Sequence, residues 1–129
     1  MENKLPRLSE REKDVMSVLW HSDEYLTASA VAEKGEISIN TVQANMRSLM
    51  KKEYIAVADI VYSGTVLSRS YKPVISAEKY AAEQLREIRD NALSFSTLNF
   101  MGNFLKKEDK DTLEELEKLI KSKKEEEGE

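Results

Sequence analysis

The 129-residue sequence contains no cysteine and a single histidine, His21. Without cysteine there is no disulfide scaffold, thiol nucleophile or cysteine-ligated zinc, and the redox compartment stays open. One imidazole supplies neither a multi-histidine metal site nor a relay of two such groups. The four glycines form no phosphate-cradling loop. No run approaches the roughly 20 apolar residues of a membrane span, and the start Met-Glu-Asn-Lys-Leu-Pro lacks the apolar stretch of a secretory leader. The expectation is a cytoplasmic, non-enzymatic protein that needs no metal or cofactor and does not insert into a membrane. The length suits one domain, or a small domain with an appended oligomerisation segment.

What is present is 34% charged and 40% hydrophobic residues, a balance that suits a helix-rich fold and is too apolar for a disordered chain. The net charge of −4 is uneven: residues 1–73 hold ten basic and ten acidic side chains, and residues 74–129 hold ten and fourteen. Within the first part, residues 37–52 contain Arg47, Lys51 and Lys52 with no acid, and residues 60–77 contain Arg69 and Lys72 with no acid. Those two stretches have the local charge that phosphates require.

Ser9 followed by Glu12 is a capping box ahead of Val15, Val18 and Leu19, which predicts a helix over about 9–21. His21 belongs to that helix's end, near carbonyls that favour it. Thr27 caps a short helix through Lys34, with Gly35 expected in the left-handed conformation that ends it. Ser38 caps a third helix whose Val42, Met46 and Leu49 form one apolar stripe. On the opposite side lie Asn40, Gln43, Ala44, Arg47 and Lys51. After Lys52 the period becomes that of strands, with Ser63-Gly64-Thr65 as the turn of a hairpin ending at Pro73. Ser76 then caps a fourth helix carrying Tyr80, Ala81, Leu85, Ile88 and Ala92. Two more helices follow, one near Ser96 to Leu105 and one from about Asp109, before a charged tail, 123–129, expected to be disordered. Trp20 and the five methionines read as core filling rather than a cofactor box.

Three helices and a hairpin, in that order, predict a mainly α winged helix-turn-helix domain over 1–75, followed by a three-helix dimerisation segment over 76–122. Amide and guanidinium side chains can pair with base edges in the major groove, so Asn40, Thr41, Gln43, Ala44, Arg47 and Lys51 are candidate contacts to double-stranded DNA. Arg69 and Lys72 are candidate phosphate contacts from the wing, or else charges that protect an edge strand. A solvated polar face on an ordinary three-helix core accounts for the same residues without DNA, as does a winged helix that binds protein. Each C-terminal helix offers few large apolar residues, so Leu85, Ile88, Leu98, Leu113, Leu116 and Ile120 are expected to form a core shared with a second copy. Packing of these helices back on the first domain is the alternative.

Further strings carry a specific resemblance. Leu8-Ser9-Glu10 through Leu19-Trp20, Leu26-Thr27-Ala28, Thr41-Val42, Leu49-Met50-Lys51-Lys52, Arg69-Ser-Tyr71-Lys-Pro73 and Ser76-Ala-Glu78-Lys-Tyr80 are similar to the BlaI/MecI-type penicillinase and methicillin-resistance repressor family. The similarity continues through Ser96-Thr-Leu98-Asn99-Phe100 and Leu113-Glu-Glu-Leu116. It implies a homodimeric repressor of a palindromic operator. It further implies a membrane sensor metalloprotease that responds to a β-lactam, and cleavage between Asn99 and Phe100. Gln43 and Ser48 stand where the family often has basic residues, which implies a different base preference. The absence of cysteines after the last helix sets the chain apart from the copper-sensing branch.

Overall fold

A computed structural model describes residues 4–128; Met1 to Asn3, at the start of the expected first domain, and Glu129, at the end of the expected tail, lie outside it. The chain divides into two units, residues 1–84 and 85–129. The division falls nine residues later than the boundary at 75/76 that the fourth cap suggests.

The first unit opens with helix α1, Glu10–Trp20, whose capping box is complete: Glu12 N–H donates to Ser9 Oγ at 3.2 Å and Ser9 N–H donates to Glu12 Oε1 at 2.7 Å. Strand β1, Leu26–Thr27, leads into α2, Ala28–Gly35, where the Thr27 hydroxyl accepts from Ala30 N–H. Helix α3, Ile39–Lys51, starts from the Ser38 cap. Strands β2, Ile55–Ser63, and β3, Val66–Pro73, form the hairpin around a two-residue turn in which Gly64 has φ +69°. The sheet order is β1-β3-β2, all antiparallel. A strand at Leu26–Thr27 was not expected: two residues carry no readable period, and the pairing with Ser70 and Tyr71 creates it.

The core of this unit joins Val15, Met16 and Leu19 of α1, Val31 of α2 and the α3 stripe Val42, Met46 and Leu49, closed by Leu26, Tyr54 and Ile55. Gly35 is not the left-handed residue; Glu36 is, at φ 53°. Close packing fixes the glycine instead. A Cβ at Gly35 would come within 2.8 Å of Val18 Cγ2 and 3.0 Å of Ile37 Cδ1. The helix-turn-helix therefore needs its glycine one position before the chain reverses.

Glu12 is buried and ionised. Burial alone would push its carboxyl up, but hydrogen bonds from Lys52, Ser48 and the Ser9 backbone, with the charge of Lys52, hold it down to about 2. Lys52 Nζ also donates to the Arg7 carbonyl at 2.7 Å, and Tyr54 donates to the Pro6 carbonyl at 2.6 Å, which ties the leading segment to the end of α3. Helix α4, Ala77–Glu87, begins in this unit with Lys79 N–H donating to Ser76 Oγ. Its Tyr80 ring lies 5.5 Å from Trp20 and 6.2 Å from Tyr54, and Trp20 Nε1 donates to the Ile75 carbonyl. The first unit therefore includes the beginning of α4.

In the second unit a π-helical turn, Ile88–Leu93, is followed by α5, Thr97–Phe104, a 3₁₀ turn at Leu105–Lys107, and α6, Lys110–Glu127. Residues 123–127, expected to be disordered, continue α6. Asp109 caps that helix, and Lys123 pairs with Glu127 one turn on at 3.1 Å, an arrangement that suits helix as well as it suits a solvated tail. Phe95, Phe100 and Phe104 stack in series, with centroids 5.0 and 5.6 Å apart. None of residues 85–128 is buried.

Candidate nucleic-acid interface

The inward stripe of α3 fixes which of its residues face out. With Val42, Met46 and Leu49 in the core, Asn40, Gln43, Ala44, Arg47 and Lys51 are all exposed. Thr41 is half-buried and occupied locally: its Oγ1 accepts from Ser38 Oγ at 2.8 Å, and its carbonyl accepts from Asn45 Nδ2 at 2.7 Å. Ser48, on the flank of the same helix, donates to the Glu12 carboxylate and is thereby turned toward α1.

Between α3, the start of α2 and the wing lies an open cleft of about 500 Å³. Gln43 and Arg47 reach it from α3 and Arg69 from β3, with Ser29 of α2 and Ser68 of β3 beside them. Its lining contains no carboxylate, so the two guanidinium groups set its potential. Met50 and Tyr71 also line the cleft and give it an apolar part.

Strand geometry separates the two basic residues of the wing. Arg69 and Lys72 are three apart on β3, and side chains alternate faces residue by residue, so the two point to opposite sides. Both are exposed, but only Arg69 lines the cleft with Arg47. Ser29, Ser68 and Met50 are cleft residues that sequence reasoning missed. Ser29 carried a weak signal, a small polar residue in the first turn after the Thr27 cap, whereas the other two depend on how the wing folds over α3.

Of the residues expected at a shared apolar core, Leu85, Ile88, Leu98 and Ile120 are exposed, and Leu113 and Leu116 are half-buried. Asn99 is exposed and Phe100 is half-buried in the middle of its aromatic stack, both within α5. Among the described residues there is no group of His, Cys, Asp and Glu placed to hold a metal, and no helix long and apolar enough to cross a membrane.

A helix-turn-helix whose second helix turns a polar, basic face outward beside a β-hairpin wing defines a winged-helix DNA-binding regulator. Residues 8–122 match the penicillinase repressor family, and the chain belongs to it. That family is described as penicillinase repressors. No curated protein matches the sequence. Among solved structures, it is similar to the adhesin competence repressor AdcR of Streptococcus pyogenes at 21% identity and TM-score 0.45, covering 93% of this chain and 80% of that one. A MepR mutant from a multidrug-resistant S. aureus isolate matches at 13% identity and TM-score 0.48, over 92% of this chain and 78% of that one. The peroxide-sensing regulator PerR of S. pyogenes matches at 19% identity and TM-score 0.42, over 52% of this chain and 47% of that one, so the chain spans about half of that protein's length. None of these likenesses locates a functional residue on this chain.

Proposed function

We propose that the chain is a dimeric, sequence-specific repressor that seats the outward face of α3 in the major groove of double-stranded DNA and occludes a promoter. The observation that carries this reading is the meeting of Gln43 and Arg47 from α3 with Arg69 from the wing around one carboxylate-free cleft. The amide and guanidinium groups are suited to base edges, while Arg69 is placed for a phosphate beside them. Asn40, Thr41, Ala44 and Lys51 extend the same helix surface, and Lys72 serves a phosphate on the other side of the ribbon.

The second unit is the dimerisation element in this reading, with Leu85, Ile88, Leu98, Leu113, Leu116 and Ile120 covered by the same residues of a second copy. The lack of any buried residue over 85–128 supports it, because a helical segment that buries nothing alone gains its stability from a partner. A twofold dimer would present two copies of α3 to the half-sites of a palindromic operator.

Induction in this reading is a cut between Asn99 and Phe100 by a membrane sensor metalloprotease that detects a β-lactam. The position of Phe100 between Phe95 and Phe104 supports the consequence, since a break there separates Phe95 from the two rings that continue its stack. Loss of the dimer would cost roughly 10²- to 10⁴-fold in apparent operator affinity through lost bivalency alone. A reversible effector is the competing way to release DNA. The work would be done in the cytoplasm, where the operator is.

Footprinting on a duplex selected from a random pool tests the reading. Two protected half-sites about one helical turn apart, or a whole multiple of it, are expected. A single protected site, or protection without a selected sequence, overturns the dimeric operator-binding function. For release, mass analysis of induced cells should find fragments split after residue 99. An intact chain in derepressed cells favours the effector.

A further inference from the structure

The cleft shared by α3, the start of α2 and the wing has a depth that contact with DNA alone leaves unexplained. Gln43, Arg47 and Arg69 are exposed around it, yet Met46, which is 3% exposed, also lines it, as do Tyr71 and Ala28, which pack on the core. The cleft therefore runs from a polar, cationic mouth down to the apolar core. Its volume of about 500 Å³ falls within the roughly 300–1,000 Å³ of sites that enclose small organic molecules. A duplex laid across the mouth brings its phosphates to the guanidinium groups and leaves the floor uncovered.

The charges of the cleft say what such a molecule carries. No carboxylate lines it, and among the described residues neither Arg47 nor Arg69 has a hydrogen bond or an ion pair. An unpaired guanidinium at the edge of an apolar cavity suits a carboxylate, because its planar fork donates two parallel N–H bonds to the two oxygens. The attraction is also stronger where protein replaces water on one side of the pair. Below the mouth, the Tyr71 ring and the thioethers of Met46 and Met50 favour a flat, conjugated body, through ring packing and sulfur–aromatic contact. Charge and shape together select an organic anion with one carboxylate on an aromatic frame, and reject a cation of the same size.

We infer that this cleft is the binding site of a small aromatic carboxylate, which is held by Arg47 and Arg69 over a floor of Met46, Met50 and Tyr71 and competes with the operator. The bound anion occupies the donors that DNA needs and places a negative charge beside the outward face of α3, so each ligand excludes the other. This rests on the operator-binding reading above and adds its regulation: a reversible release that leaves the chain whole, independent of a cut between Asn99 and Phe100. The two ligands need no change of fold to oppose one another, since they share the same two guanidinium groups.

The test uses the full chain with naphthoate as the probe, and with neutral naphthylmethanol and acetate, at matched ionic strength, as controls. Calorimetry without DNA should show saturable binding of naphthoate and of neither control. In gel shifts on a duplex from the chain's own upstream region, apparent operator affinity should fall about tenfold per protomer when naphthoate stands at ten times its own Kd. Arg69→Ala should weaken naphthoate binding by about tenfold or more, and Met50→Ala by a smaller factor. Both side chains are exposed, so thermal unfolding of the variants should coincide with wild type. No saturable binding, or equal binding by Arg69→Ala, would overturn the inference while leaving operator binding intact. Saturable binding with unchanged operator affinity would overturn it too, because DNA and anion would then not compete. Equal loss of operator binding in acetate would reduce the effect to salt screening and contradict the inference. If wild type binds a scrambled duplex as tightly as its own, the operator reading fails and the competition with it, and calorimetry alone decides whether the cleft takes the anion.

Discussion

Lys52 Nζ lies 2.7 Å from Glu12 Oε1, joining the end of α3 to the first turn of α1 through a carboxylate that is 3% exposed. The same carboxylate closes the α1 capping box and accepts from Ser48, so one buried charge ties α3 to α1. Breaking such a pair from one side leaves an uncompensated buried charge, which is why it is costlier to break than to lack.

The acid dependence follows from this node. The folded carboxyl is held at about 2 against a usual 4.5, so the unfolded chain binds the proton more readily. The stability it contributes, about 3 kcal/mol, is fully present above the unfolded value of 4.5 and is lost as pH falls toward 2. Glu12→Gln should therefore be destabilised near neutral pH. In urea unfolding, its gap from wild type should narrow by about 2 kcal/mol between pH 7 and pH 3. A gap of constant size would show that the carboxylate is not the charged element of the node.

At the helix-turn-helix bend, two adjacent substitutions should act in opposite directions. Gly35→Ala places a methyl 2.8 Å from Val18 Cγ2 and should cost about 1 to 3 kcal/mol. Glu36→Gly relieves a left-handed residue, φ 53°, and should stabilise by up to about 1 kcal/mol. Thermal melts of the two variants check the signs. Destabilisation by Glu36→Gly would mean that its side chain does more than tolerate the turn.

The limits of the first unit can be tested by truncation. A chain ending at Gln84 retains Tyr80 against Trp20 and Tyr54 and should fold as a monomer. Ending at Ile75 removes that ring and should cost about 3 to 5 kcal/mol, as aromatic deletions from packed sites do. Equal urea midpoints for the two would place the boundary at 75/76 after all.

These elements show which features were legible in the residues themselves. Caps and stripes were: Ser9, Thr27, Ser38, Ser76, Ser96 and Asp109 all stand at helix starts, and Val42, Met46 and Leu49 are buried as their spacing required. Such signals are local, acting over three or four residues. Strand β1 was not legible, because its two residues become a strand only by pairing with β3. Nor was the role of Gly35, which depends on where Val18 comes to lie. In the candidate site, the outward set on α3 followed from helical period. That Arg69, but not Lys72, lines the cleft with Arg47 depends on the position of the wing beside α3 as well as on strand parity, since Ser68, on the face of Lys72, lines it too.

That parity makes a graded prediction for DNA binding. Arg47→Ala should cost roughly 1 to 3 kcal/mol and relax preference at one base position. Arg69→Ala should weaken binding to all sequences and reduce the salt slope by about one. Lys72→Ala, on the opposite face, should do the same to a smaller extent. Because Arg47 and Arg69 share one cleft, the loss in the double variant should differ from the sum of the two losses. Simple additivity in gel-shift affinities would mean that the two side chains bind independently of one another.

The most direct measurement of the central claim is a gel shift of the full chain on a duplex from its own upstream region and on a scrambled duplex of the same composition, across a salt series. The native duplex should be preferred by at least roughly 10³-fold, with the logarithm of both affinities falling linearly in log salt as phosphate contacts release counterions. Equal affinity for the two duplexes across the whole series would contradict it.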